Sequence, residues 1–449
     1  MKADGVPELE GLKAVNSEST YGSTNDTLSP RSADKSNERN DLKLGLGAKL
    51  MYFLRFGQQG VFYTYIAIYL SVNIGLSIID CSVVFTIMML AQWLGSSTIP
   101  VIADALDSHG SVAAVSHLGG SGVALIMTTL ETGAFFKSCL ILGISNILVG
   151  GVQPLSDAGV FRICKRRSFN FGSQRLWGCL GWGLLTLIVC VIPASSHLGR
   201  LDAMWSLYAA VAPFTALVLW WFLSLAHADD TLAKGCVAPT PRDLDTFWTF
   251  MLHPMVPPFL LSVALMGALF GSSSVLFMSI WAVESLHATL WVLGISALVL
   301  NICEIPMFFY GGDLGKRFGV HGILYLSSFA YAFWLLAYGY WVTKAWWIVA
   351  LQPLHAIGFA LPIGNLGTLT GKLANEVGFP APSAQGFKQG ALNFGRAIGF
   401  ICAGFLYQAY SAEVMFRVMG FSCSLMLLAI ACLHSMAYRS GKTDMLYLD

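Results

Sequence analysis

Apolar residues fill most of this chain in runs of about 20 or more, the length that ~30 Å of hydrocarbon asks of a helix. Twelve such runs can be marked, near 47–72, 80–103, 112–130, 135–157, 174–194, 202–226, 256–281, 288–310, 321–342, 345–370, 385–408 and 414–436. The widest gap between them, 227–253, is the one long polar linker, and it leaves six runs on each side. The pattern predicts an all-α membrane protein of twelve transmembrane helices in two pseudo-symmetric six-helix bundles. One bundle is expected over 46–226 and the other over 254–436, with 227–253 as a cytoplasmic linker and 437–449 as a cytoplasmic tail. Residues 1–45 are rich in Ser, Asn, Asp, Lys and Glu, carry Tyr21 as their one aromatic residue, and are expected to be a disordered cytoplasmic tail.

Basic residues that flank membrane helices stay on the cytoplasmic side. With the tail inside, the inner loops hold Arg162, Lys165, Arg166, Arg167, Lys234, Arg242, Lys316, Arg317, Lys372 and Lys388, while the outer loops hold Lys137, Arg200 and Lys344. Both termini are therefore expected in the cytoplasm. Composition agrees with a bilayer: 55% of the residues are hydrophobic and 11% charged, far from a soluble protein. A net charge of +1 leaves no basic face for a nucleic acid. Most of the ten cysteines sit inside apolar runs at no metal-like spacing and read as packing residues.

Polar residues inside the runs are unevenly placed. Arg55, Gln58 and Gln59 lie in the first run, Gln92 in the second, Asn146, Gln153 and Asp157 in the fourth and Asn301 and Glu304 in the eighth. Gln352, His355 and Asn365 lie in the tenth and Asn393 and Arg396 in the eleventh, while the third, sixth, ninth and twelfth have almost none. Every third run thus reads as a lipid-facing wall around an inner chamber. Arg55, Gln58 and Gln59, three and four residues apart, share one helix face and read as solute contacts or as packing. A carboxylate at the depth of Glu304 costs several kcal/mol unless protonated, paired or wetted. Two readings of it stand: a structural ion pair with Arg396, or a group that gains and loses a proton as access switches sides. His355 is either a proton carrier or a hydrogen-bonded interior histidine. Pro306, Pro353 and Pro362 are expected to bend their helices.

The two halves echo each other. Ile99-Pro100 precedes Asp104 and Asp107 as Ile305-Pro306 precedes Asp313, and SQRLWGCLGWG from Ser173 matches GALNFGRAIGFICAG from Gly390 in setting an arginine beside spaced glycines. Such echoes suggest an internal duplication.

QRLWGCLGWG at 174–183, CEIPMFFYGGDLGKRFG at 303–319, LHAIGFALPIG at 354–364 and SAQGFKQGALNFGRAIGFICAGFLY at 383–407 carry a resemblance. Over about residues 45–436 the chain resembles the major facilitator superfamily and, within it, the MFS-associated (MFS-1-like) domain family, which includes proteins similar to macrophage MHC receptor 2 homologues. The resemblance implies a twelve-helix transporter fold. It also draws attention to the superfamily's gating loop, of which Ala103-Asp104 survives in the first half; in the second, Gly312, Leu314, Arg317 and Gly319 fit, with Asp313 beside them and Lys316 at an acidic position.

The expectation for function is a secondary active transporter, a symporter that moves a small polar or organic solute by alternating access with protons as the coupling ion. The alternative is a transport-inactive receptor or scaffold on the same fold. No HExxH, GxGD or P-loop spacing is present, so neither an enzyme nor a cofactor is expected. The partners expected are the solute, protons and the lipid bilayer.

Overall fold

The computed structural model describes residues 30–167, 171–192, 199–234, 244–272, 275–379, 381–441 and 446. The chain divides into two compact units, Met1–Leu42 and Lys43–Asp449, and the second holds every candidate residue named above. Part of the expected N-terminal tail, of the 227–253 linker and of the C-terminal tail lies outside the described residues.

The architecture is all-α. Helix α1 (Pro30–Ile68) begins at a proline and closes in a π turn at Tyr69–Asn73. Helix α2 (Ile78–Ala105) starts from a capping box: the Ser77 hydroxyl accepts from the Asp80 backbone N–H at 3.2 Å, and the Asp80 carboxylate accepts from the Ser77 N–H at 3.3 Å. Next come α3 (His109–Leu125), α4 (Phe135–Gly150), α5 (Val152–Arg167), α6 (Phe171–Val191) and α7 (Gly199–Lys234). The second half has α8 (Leu244–Met251), α9 (Val256–Met266), α10 (Val275–Glu284), α11 (Leu290–Tyr340) and α12 (Trp346–Ala350). It ends with α13 (Gln352–Glu376), α14 (Ala381–Ala409) and α15 (Ala412–Arg439), the last capped where the Ser411 hydroxyl accepts from the Val414 N–H at 3.3 Å.

The count of twelve spans in two six-helix bundles is corrected by the structure. Among the described residues, eight helices are long and apolar enough to cross a membrane: Ile78–Ala105, His109–Thr129, Phe135–Cys164, Phe171–Val191, Leu201–Asp229, Leu290–Tyr340, Ala384–Ala409 and Ala412–Arg439. The expected first span falls out because α1 dilutes its apolar residues with Arg55, Gln58, Gln59 and a polar beginning. The expected 256–281 span is broken into α9, a π segment at Gly267–Ser272, and α10. The spans expected at 288–310 and 321–342 follow one another within α11 as two helices that meet at a kink, where Gly319 leaves helical geometry at φ 68° and ψ 162°. The 345–370 span parts into α12 and α13, and Pro353 stands at the start of α13, where its missing N–H is no loss, instead of kinking a helix interior. What holds is a multi-pass helical membrane protein.

Helix α2 packs on α4 and α14, α6 on α11, α3 on α7, and α11 on α13 and α15. Phe214 and Leu217 on α7, Phe329 on α11 and Phe421 and Leu428 on α15 are exposed, as side chains facing acyl chains must be.

The two glycine-rich helices repeat one contact. A methyl group on Gly181 of α6 would run into the Phe53 carbonyl of α1, and one on Gly395 of α14 into the Ala264 carbonyl of α9. Backbone faces backbone at both places, so no side chain can yield. Gly395→Ala is expected to cost about 1–3 kcal/mol, the usual range for overpacking, and to lower the thermal midpoint of the solubilised protein. Gly364→Ala, at a position with open space around it, is expected to leave the midpoint unchanged.

Candidate functional site

The polar face of α1 opens onto two levels of side chains. At the first, the Arg55 guanidinium Nη1 donates to Gln153 Oε1 on α5. Gln153 Nε2 donates to Asp157 Oδ2 at 2.7 Å, one turn on in the same helix, and the Tyr52 hydroxyl donates to Asp157 Oδ1 at 2.8 Å. Arg175 of α6 lies over the Phe56 ring at 3.9 Å and over Tyr52 at 5.3 Å, while Arg55 approaches Phe56 at 5.0 Å. Lys388 of α14 is within electrostatic range of Asp157 and Arg175. It therefore belongs to a helix and this cluster, not to the inner loop in which its sequence context places it. Asp157 is the acid around which the cations Arg55, Arg175 and Lys388 gather.

The second level is centred on Tyr63, two turns further along α1. Its hydroxyl donates to Asn146 Oδ1 at 3.4 Å, Gln92 lies beside it, and Arg396 of α14 is within electrostatic range. The Trp182 ring lies parallel to the Tyr63 ring at 6.4 Å and 12°. Asn393, nearly one turn before Arg396, accepts from Gln389 Nε2 at 3.2 Å. Three buried atoms at or near this level have no hydrogen-bond partner: Arg396 Nε, Asn393 Nδ2 and Gln59 Oε1.

Other candidates lie elsewhere. Gln58 is taken up by a buried network with α3 and α7, donating to Ser121 Oγ at 3.1 Å and to the Tyr208 carbonyl at 3.4 Å and pairing with His117 Nε2 at 2.7 Å, with His117 within electrostatic range of Arg55. Glu304 is buried, and its Oε2 accepts from the Cys179 thiol of α6 at 3.5 Å. Arg175, not Arg396, is the cation within its electrostatic range. His355 is buried among the rings of Trp334 at 4.8 Å, Tyr331 at 5.3 Å and Phe359 at 5.7 Å, and both of its nitrogens lack a partner. Of the gating-loop candidates, Asp104 accepts from His109 Nε2 at 2.9 Å, and Asp313, Lys316 and Arg317 are exposed on α11. A recess beside Asp104 is lined by His109, Leu155, Arg162, Leu223 and His227, with the two imidazole rings 4.9 Å apart.

Sequence reasoning missed Tyr52, Tyr63 and Trp182, which look like packing aromatics in an apolar run. The signal was present in the spacing: Arg55, Gln59 and Tyr63 stand four residues apart and so share one helix face. Among the described residues, no group of three or more His, Cys, Asp or Glu is placed to hold a metal ion.

The sequence model of the MFS_1 like family matches residues 46–418. The fold is similar to the crystal structure of nucleoside transporter NupG, with 16% identity and a TM-score of 0.67 over 87% of this chain and 98% of that one. A mutant of that transporter gives 17% and 0.70 over 87% and 99%. The crystal structure of a D-xylose-proton symporter gives 14% and 0.61 over 86% and 97%. At these identities the likeness is one of fold.

Proposed function

Because the chain belongs to the MFS_1 like family, we propose that it is a secondary active transporter that carries a small polar or organic solute by alternating access, with protons as the coupling ion. The observation that carries this reading is the set of unpartnered buried polar atoms on α14 and α1, Arg396 Nε, Asn393 Nδ2 and Gln59 Oε1, at or near the level of Tyr63. Leaving a buried polar group without a partner costs about 1–3 kcal/mol, and a bound solute supplies the missing partners. A protein that only scaffolds has no use for such groups. The similar folds named for nucleoside and for D-xylose-proton transport support a small hydrophilic cargo and a proton partner. In this reading residues 46–226 and 254–436 move against each other along the α2·α14 and α6·α11 contacts, with both termini in the cytoplasm. Asp104, at the end of α2, and Asp313, Lys316 and Arg317, on α11, mark the two related places at which such movement opens and closes one end. The likeness to macrophage MHC receptor 2 homologues, carried by 174–183, 303–319, 354–364 and 383–407, belongs to the same reading.

The test is uptake by the purified full chain in liposomes under an imposed inward proton gradient, with sugars, nucleosides and organic acids offered in turn. At least one solute is expected to accumulate above its equilibrium level and to leak out when a protonophore collapses the gradient. If monodisperse, correctly inserted protein moves none of them, the receptor or scaffold reading takes its place.

A further inference from the structure

The interior cations outnumber the acids. Around the two levels stand Arg55, Arg175, Lys388 and Arg396 against Asp157 and Glu304. Two carboxylates balance at most two of the four cations. Asp157 accepts from Tyr52 and Gln153, and Glu304 accepts from Cys179. Of the four cations, Arg55 alone hydrogen-bonds to a described residue, and that partner is the neutral Gln153. Arg175 Nη1 and Arg396 Nε are buried without a hydrogen-bond partner, and Arg175 lies over two aromatic rings with Glu304 within electrostatic range. An uncompensated cation among membrane helices is costly, and the cost falls when an anion arrives.

The cations are also arranged in height. Lys388 and Arg396 are eight residues apart on α14, as Arg55 and Tyr63 are on α1, which is ~12 Å along a helix. The upper level pairs Arg396 with the Tyr63 and Trp182 rings, and the lower pairs Lys388 with Arg175. That combination offers one acidic group a guanidinium and offers the body of the molecule a flat aromatic surface.

We infer that the solute is an organic anion, whose carboxylate or phosphate meets Arg396 while its ring or sugar lies against Tyr63 and Trp182. The inference rests on the transporter reading for its physiological sense, but its binding claim stands apart from it.

The experiment measures the thermal midpoint of the detergent-solubilised full chain against rising concentrations of two matched pairs, glucuronate with glucose and uridine monophosphate with uridine. At least one anion is expected to raise the midpoint at a concentration tenfold or more below that needed by its neutral counterpart. Which pair shows the preference tells carboxylate from phosphate. Arg396→Gln is expected to remove the preference, and Arg396→Lys to keep part of it; the midpoints without ligand show whether each variant is folded. The inference is overturned if the neutral members bind as well as the anions, if folded Arg396→Gln keeps the preference, or if the folded wild type responds to neither pair. Uptake of the same compounds into liposomes separates the two claims. Anion binding without uptake removes the transporter reading and leaves the anion site, whereas uptake of neutral solutes without anion preference does the reverse.

Discussion

Asp157→Ala is expected to give the largest loss of stability of any single change in the interior, about 3 kcal/mol or more, seen as a lower thermal midpoint and a smaller monodisperse fraction after solubilisation. The carboxylate is held by the Tyr52 hydroxyl and Gln153 Nε2 and stands within electrostatic range of Arg55 and Lys388, with Arg175 within range of both cations. Removing one partner from a buried charged cluster leaves the others uncompensated, which costs about 3–5 kcal/mol where the groups are fully enclosed. Asp157 is partly exposed, so the lower end applies. Asp157→Asn keeps an acceptor for Tyr52 and loses only the charge, and is expected to fall between the two. An alanine variant as stable as the wild type would mean that water or lipid already neutralises the cations. In that case the excess positive charge no longer argues for an anionic solute.

Asp157 also shows what the chain made legible and what it hid. It stands in an apolar run four residues after Gln153, and its type alone marked the fourth run as part of a polar interior. Arg55 and Glu304 were found for the same reason, since a charge in hydrocarbon is conspicuous. Its partners were harder to read. Tyr52 and Tyr63 resemble core aromatics until their spacing is followed, three residues from Tyr52 to Arg55 and four from Gln59 to Tyr63. Lys388 lies three residues beyond an expected helix start at 385 and therefore reads as a flank, whereas α14 begins at Ala381 and carries it inward. Pairing across helices was not available at all. Depth along the spans makes Glu304 and Arg396 plausible partners, but depth does not fix azimuth, and the structure turns Glu304 to Cys179 and Arg175 on α6 and Arg396 to Tyr63 and Tyr331.

The span count failed for a related reason. Hydropathy measures how apolar a stretch is, and two of the helices that fall short of a span carry polar residues along their length. Helix α1 holds Arg55, Gln59 and Tyr63, and α13 holds Gln352, His355 and Asn365. Marking their runs by length alone put them on the same footing as the apolar walls. The breaks at Gly267–Ser272 and Leu351 and the kink at Gly319 belong to the folded backbone, as where Gly267 abuts the Leu392 carbonyl. Such contacts leave no mark on hydropathy.

Glu304→Gln is expected to abolish accumulation driven by a proton gradient while leaving exchange of solute across the membrane within about twofold of wild type. The residue sits on α11 against α6, at one of the two contacts along which the halves are proposed to move, and its one hydrogen bond is from a thiol, a weak donor. A weak partner leaves the carboxyl free to change protonation state as its surroundings change. Glutamine has nearly the same shape, is permanently neutral, and so imitates the protonated acid. A carrier locked in that form can still shuttle loaded with solute, but it no longer returns a proton, and accumulation falls at least tenfold. The structural alternative predicts something different. If Glu304 serves only as a counter-charge for Arg175, its loss lowers the thermal midpoint and slows driven uptake and exchange alike. Measuring both fluxes together with the midpoint separates the cases, and unchanged driven uptake would rule out Glu304 as the proton carrier and move attention to His355, whose two nitrogens are buried and unpartnered.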